Sequence, residues 1–314
     1  MTQGALEGSL EPRTICIAVP TTGTRPEALS ACLAGIGALR LPAGVSVHVA
    51  IIRNGEPGEE DLESEAHRAG IASASVVLER RLGIPFARNA ALQFSFDGGF
   101  DYLAFIDDDA APDPDWLERL YSPLQGKGAD AATGPQVPIF PPNTSAELSK
   151  AEIFRERRLA DGSRCAWAAT NNVIFSVPFV KKHALWFESE FATGGEDKQF
   201  FLRFTKLGGK IVWVADAVVR EPVVSGRLSR KWAVRRAYRY GSTGFSIERS
   251  IRSPVSAVAV CIVKGGGHIA SGLVKMPLAL LPGSAALIDS ACSIAHGAGF
   301  LLGMAERFRS RRYA

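Results

Sequence analysis

Ile15-Cys16-Ile17-Ala18-Val19 forms a short apolar run that ends at Pro20, the pattern of a buried strand. A helical period follows. Leu29, Leu33 and Ile36 share one face, Thr24 is placed to cap that helix, and Pro26 lies in its first turn. Val45 to Ile52 reads as a second strand, Glu59 to Ala69 as a polar helix, and Val76-Val77-Leu78 as a third strand. Pro85 to Phe96 reads as a helix, Tyr102 to Ile106 as a strand, and Asp113-Pro114 opens another helix. Farther on, the Pro-rich stretch Gln136 to Asn143 reads as a loop. Asp197 to Leu207 is a helix with Phe200, Phe204 and Leu207 on one face, stopped by Gly208-Gly209, and Ile211 to Val214 is a strand. This alternation predicts an α/β fold, a mainly parallel sheet flanked by helices. Ligands of such sheets bind beyond the carboxyl ends of the strands.

The pattern changes after Arg252. Val255 to Val263 and Leu273 to Leu281 are apolar, but Lys264, His268 and Lys275 interrupt them. Neither run reaches the roughly 18–20 residues that a bilayer span needs. Gly265-Gly266-Gly267 is expected to break a continuous helix. Two readings stand: a helical subdomain packed on the core, or a membrane-surface element with basic flanks that include Arg307, Arg309, Arg311 and Arg312.

Charge sharpens this picture. The 314-residue chain carries a net charge of only +4. Between Arg220 and Arg252 lie nine Arg or Lys against Glu221 and Glu248, a net +7 that leaves −3 for the rest. Such a stripe points to a phosphate-bearing ligand or an anionic membrane surface. No nucleic-acid-binding module pattern appears, which argues against that partner. Five scattered cysteines without a C-x-x-C pair argue against a disulfide framework and a zinc site, and for a reducing compartment. The opening MTQGALEGSLEPR has neither the basic region nor the apolar core of a signal peptide, so none is expected.

Two acidic motifs carry candidate chemistry. Asp107-Asp108-Asp109 ends the apolar strand at Ile106. Carboxylates at the edge of a core are disfavoured unless they hold a cation or a proton. Side chains alternate along an extended segment, so Asp107 and Asp109 point one way and Asp108 the other. Two oxygen donors on one side suit Mg²⁺ or Mn²⁺. The bland reading is a solvated acidic turn. The second motif, Gly194-Gly195-Glu196-Asp197, starts a helix. A carboxylate in a first helical turn is stabilised by the helix dipole, which would keep it ionised and able to act as a base. Simple charge complementation of the helix is the alternative. Together the two motifs fit a metal-bound diphosphate leaving group and a base for an incoming hydroxyl.

Five segments in this order extend the pattern: VPTTGTRPEAL, GIPFARNAAL, YLAFIDDDAAPDPDWLERL, ATNNVIF and GGEDKQFFLRFTKLGGKIVW. From about Ile15 to Gly241 the chain resembles the inverting family 2 glycosyltransferases of GT-A fold, close to the bacterial exopolysaccharide and succinoglycan-type glucosyltransferases. The resemblance implies a Rossmann-like GT-A catalytic domain over 13–225, after a disordered segment over 1–12. A basic, amphipathic and apolar helical region follows over 226–314. It implies that Asp107 and Asp109 bind metal and nucleotide, with Asp109 the direct metal ligand, and that Asp197 is the base with Glu196 second. Pro20, Arg88 and Asn89 fall to the nucleotide pocket, Asn171 and Asn172 to the acceptor side, and Arg203 to a structural role. The implied reaction is transfer from a nucleotide sugar, UDP favoured, to a lipid-linked saccharide, with Mn²⁺ or Mg²⁺, at the cytoplasmic face of the inner membrane.

Three departures stand out. Ile52-Arg53-Asn54 lacks the Asp that often helps hold the base. Arg220-Glu221 stands where many relatives carry a metal-binding His, so Glu221 or phosphate would complete the site. Arg227-x-x-Arg230-Lys231-Trp232 is loosely similar to the Gln-x-x-Arg-Trp element of processive synthases. It reads either as a phosphate-facing Arg cluster or as a basic membrane-surface helix. The rival functions are a metal-dependent nucleotidyltransferase and a non-catalytic, membrane-associated nucleotide-sugar-binding subunit.

Overall fold

A computed structural model of the chain describes residues 12–310 apart from 59, 127, 193 and 281–283. The expected disordered segment, up to residue 11, and the side chains of the arginine tail lie outside the described residues. The strands are β1 (Arg13–Thr21), β2 (Val45–Asn54), β3 (Ala74–Glu79), β4 (Tyr102–Ile106), β5 (Ala111–Pro112), β6 (Ala131–Thr133), β7 (Gln136–Ile139), β8 (Arg164–Cys165), β9 (Asn172–Ser176), β10 (Ile211–Trp213) and β11 (Val219–Pro222). The helices are α1 (Pro26–Gly37), α2 (Leu62–Arg68), α3 (Ile84–Asp97), α4 (Trp116–Tyr121), α5 (Ala146–Ser149), α6 (Val177–Lys182), α7 (Glu196–Lys206), α8 (Arg230–Ser242), α9 (Gly244–Ile251), α10 (Pro254–Lys275) and α11 (Ala286–Ser310).

Eight strands form one sheet in the order β3-β2-β1-β4-β9-β6-β10-β8. β1, β2, β3 and β4 pair in parallel, whereas β9 runs antiparallel between β4 and β6. Alternation along β1 sends Ile15, Ile17 and Val19 to one face and Cys16 and Ala18 to the other. The first face is covered by Leu29 and Leu33 of α1 and by Trp116 of α4. The second is covered by Ala87 of α3 and by Phe200, Phe201 and Phe204 of α7. A small sheet, β5-β11-β7, sits directly beyond the aspartates.

Several local expectations change. The Pro-rich stretch is not wholly loop: Gln136–Ile139 is an edge strand whose partner is β11, a position where Pro138 removes no needed ladder bond. Thr24 does not cap α1; its hydroxyl meets that of Thr22, and α1 starts at Pro26 without a side-chain cap. α4 begins at Trp116, and the Asp113 carboxylate instead receives Arg220. α10 runs unbroken through Gly265-Gly266-Gly267. Its Ser253 cap and Pro254 start it, and Gly265 lets α11 approach so closely that a Cβ on Gly297 would collide with the Gly265 carbonyl. Pro254–Leu278 and Ala286–Ala305 are therefore long and apolar enough to cross a membrane, by length and composition.

Asn172 is a structural residue rather than one that lines an acceptor. It is buried, its side-chain Oδ1 accepts the Trp116 indole N–H at 2.8 Å, and its Nδ2 donates to the Pro135 and Ala217 carbonyls at 2.9 and 2.7 Å. The side chain thereby ties β9 to α4 and to the turns that precede β7 and β11. Replacing Asn172 with Ala strands the Trp116 indole N–H and the Ala217 carbonyl, while the Pro135 carbonyl keeps the Val219 N–H, and should destabilise the fold by about 2 kcal/mol or more, measured by urea denaturation.

Candidate active site

β4 delivers the acidic cluster because its apolar residues end at the carboxyl edge of the sheet. Asp107, Asp109 and Glu221 place carboxylate oxygens within 4.8 Å of one another. Glu221 comes from β11, whose antiparallel pairing with β5 sets Arg220 opposite Ala111 and brings the next residue to Asp109. Asp108 points away, accepting the Thr21 hydroxyl at 2.6 Å and Arg25 Nη2 at 2.5 Å. Arg25 also pairs with Asp109, and Arg227 donates to Glu221 at 2.7 Å. Arg88 Nη2 stands 4.0 Å from Asp107. Three guanidiniums thus ring three carboxylates.

Charge is still wanted there. Burial pushes the Asp107 carboxyl up to about 7, with Glu221, Asp109 and Asp108 adding to the rise and Arg88 opposing it. Burial also raises Asp108 and Glu221. Hard oxygen donors that resist ionisation without a cation fit Mg²⁺ or Mn²⁺.

The second half of the site is the start of α7. Gly194 and Gly195 have φ of +122° and +91°, a left-handed backbone that favours glycine and turns Glu196 and Asp197 inward. Buried Glu196 pairs with buried Arg88, so Arg88 connects the acidic cluster to α7. The buried Glu196 Oε2 and Arg88 Nε atoms have no hydrogen-bond partner among the described residues. Asp197 accepts the Lys198 backbone N–H at 2.6 Å. The expected helix-dipole stabilisation of ionised Asp197 does not dominate: burial, then Glu196, push its carboxyl up, against Arg88 and the Lys198 N–H. Such a group holds a proton more readily than a free Asp, as a base working near neutrality should.

The remaining predicted residues separate. Pro20 lies near the end of β1, beside this edge of the sheet. Asn89 clamps the backbone of Phe187, donating to its carbonyl at 2.8 Å and accepting its N–H at 2.9 Å. Asn171 donates to Gln136 of β7. Arg230 reaches Glu147, not the acidic cluster, because it opens α8 on the far side of Arg227. Arg203 pairs with Glu188 at 2.7 Å. Sequence reasoning assigned Arg25 no place in the site. Its place at the end of the strand-ending Thr21-Thr22-Gly23-Thr24 turn was the available signal.

Comparison with known proteins agrees with this geometry. Residues 48–181 match the family model described as Glycosyl transferase family 2. Succinoglycan biosynthesis protein ExoM of Rhizobium meliloti (strain 1021) is 28% identical over 224 residues, 71% of either chain. The mannosyltransferase PcManGT from Pyrobaculum calidifontis, in complex with GDP-Man and Mn²⁺, superposes over 96% of this chain and 88% of its own, at TM-score 0.58 and 16% identity. S. aureus TarS 1–349 in complex with UDP superposes over 95% and 92%, at TM-score 0.51 and 13% identity. The chain spans 41% of a longer S. aureus TarS chain. The fold is of GT-A type. Residues 48–181 are a family 2 glycosyltransferase domain, and the chain is a glycosyltransferase.

Two outcomes follow from the charges. Arg88→Met strands buried Glu196 and should destabilise the protein by about 3–5 kcal/mol in urea, whereas Arg88→Met with Glu196→Gln recovers part of the loss. The sign for Asp107 is set by its raised folded value of about 7. Below the free-carboxylate range both folded and unfolded chains are protonated and it contributes nothing. From there to about 7 only the unfolded chain ionises, so Asp107 lowers stability as pH rises, and above about 7 the loss levels off. The melting temperature of wild type relative to Asp107→Asn, in chelator, should therefore fall between about pH 5 and 7.

Proposed function

We propose that this glycosyltransferase moves a sugar, with inversion, from a nucleotide sugar to a hydroxyl of a lipid-linked saccharide at the cytoplasmic face of the inner membrane. A UDP-sugar is favoured as donor. The observation that carries the reading is the link from the Asp107–Asp109–Glu221 cluster through Arg88 to the Glu196-Asp197 helix start. These are the two chemistries a single displacement needs, held by one buried cation.

Asp107, Asp109 and Glu221 would hold a divalent cation, which supplies charge to offset the departing diphosphate. Arg25 and Arg227 already lean on Asp109 and Glu221 and are the nearest cationic donors for phosphate oxygens. Asp197 takes the proton as the acceptor oxygen bonds to the anomeric carbon and the bond from that carbon to the diphosphate oxygen breaks. A single displacement inverts the centre. A groove lined by Val137, Pro138, Phe140 and Phe154 begins where Pro138 pairs with Glu221, and it offers an acceptor saccharide a course beside the cluster. The succinoglycan name of the Rhizobium relative and the UDP of the TarS complex support acceptor pathway and donor class respectively.

Thermal shift with UDP-, GDP- and dTDP-sugars, each with Mn²⁺, Mg²⁺ or EDTA, tests the donor. A ligand at ~100 times its Kd stabilises by ~2.7 kcal/mol. A metal-dependent shift with one nucleotide class, lost in Asp109→Ala, is the expected result; no shift with any donor contradicts the reading. Asp197→Asn should abolish transfer and leave nucleotide binding near wild type, and survival of more than about a tenth of the transfer rate would rule it out as the base.

A further inference from the structure

We infer that the outer face of α10 docks on an anionic lipid bilayer lying in its plane, and that α10 and α11 do not cross it. The inference deepens the membrane reading proposed above. α10 buries Ala257, Cys261, Gly265 and Gly272 against its neighbours. The opposite side presents Val255, Val263 and Val274, which are 80%, 73% and 76% exposed. Ile262 and Leu273 flank them on the same exposed side. An apolar ridge of this length, uncovered along a whole helix, is suited to the headgroup–acyl boundary.

Packing around α11 argues against a span. α10 grips α11 through Gly265 against Gly297 and Gly272 against Ser290. α8 grips it from another side, since a Cβ on Gly299 would strike the Tyr238 carbonyl and one on Gly303 would meet Ser242. A membrane-crossing α10–α11 pair would therefore carry α8 inward with Arg230, Lys231, Arg235, Arg236 and Arg239. Cations at the bilayer centre are strongly disfavoured. Lys264 would also fall near the middle of the Pro254–Leu278 stretch. In the in-plane arrangement it keeps its 2.5 Å bond to Glu248, which Arg252 shares at 2.7 Å, at the polar border of the ridge.

Charge complementarity selects anionic lipid as the occupant. Lys264 and Arg252 border the ridge against the single Glu248, and Lys231 and Arg235 stand exposed four positions apart on α8 with no acidic partner among the described residues, whereas the Arg239 guanidinium lies beside Gly194, just before α7. Docking there also has a purpose. α9 packs on the start of α7, with Ile247 and Thr243 against Gly195, so the base helix is braced on the layer that meets the membrane.

The test uses full-length protein and vesicles of phosphatidylcholine with or without phosphatidylglycerol. The five native cysteines are buried, so Val255→Cys, Val263→Cys and Val274→Cys can each be spin-labelled selectively. Depth is read from oxygen against nickel-chelate accessibility. The expected result is one shallow depth at all three positions on phosphatidylglycerol vesicles. Flotation should fall about tenfold or more in Val263→Glu/Val274→Glu, in Lys231→Glu/Arg235→Glu, and on neutral vesicles. A deep position 263 between shallow 255 and 274 would mean a span and overturn the inference. Labels immobilised without vesicles, with dimers in sedimentation, would assign the face to a second copy and overturn it too. No vesicle effect at any position would do the same. UDP-sugar binding by calorimetry in the glutamate variants keeps the two readings apart: binding intact with flotation lost supports docking, and docking intact with no donor binding faults only the transfer reading.

Discussion

The Arg88–Glu196 ion pair is the interaction on which the site depends. Both side chains are buried, and Arg88 also stands 4.0 Å from Asp107. The guanidinium comes from α3, the aspartate from the end of β4 and the glutamate from the first turn of α7. No two of these are neighbours in the chain. Burying a full charge is costly, and breaking such a pair strands its partner in a poor dielectric. The Phe187 ring, 5.8 Å from the guanidinium, adds cation–π attraction and helps keep water out. The separation between acidic cluster and base helix is thereby set by one buried fork with little freedom to move.

The electrostatics of the rest follow from that arrangement. Arg88 satisfies Glu196 first and lends Asp107 only part of its charge. Arg25 is divided between Asp108 and Asp109, and Arg227 is held by Glu221. Asp107, Asp108, Glu221 and Asp197 all have carboxyl groups pushed upward by burial. A site in this condition gains from a divalent cation at one end and from a hydroxyl proton at the other. The same burial that makes the carboxylates costly to ionise makes them strong ligands and a competent base once their partners arrive.

Much of this could be read from residue order alone. Strands β1 to β4 announce themselves by apolar runs and turn residues, and the aspartates fall where such sheets bind ligands. The Gly194-Gly195 turn before two acids was equally plain. Features set by long-range register were not. Glu221 joins Asp109 only because β5 and β11 pair, and both strands are too short to show a period. β7 is hidden by its prolines, which an edge strand tolerates. Asn172 looked like a ligand contact because an exposed and a buried Asn have the same letter; only Trp116 and two carbonyls around it reveal the difference. Gly265 to Gly267 read as a helix break because the partner helix that exploits Gly265 lies more than a full α-helix away in sequence. The upward push on the Asp197 carboxyl was missed because the dipole argument is local, whereas burial and Glu196 act through the fold.

The most direct test is Mn²⁺ binding followed by electron paramagnetic resonance in wild type and Glu196→Gln. Glu196 is outside the Asp107–Asp109–Glu221 cluster, so a simple ligand count predicts equal affinity. If Arg88 is shared between the two halves, neutralising Glu196 turns its full charge toward Asp107 and weakens Mn²⁺ several-fold, by an amount that falls as salt screens the interaction. Equal affinity in both proteins at low salt would contradict the coupling through Arg88.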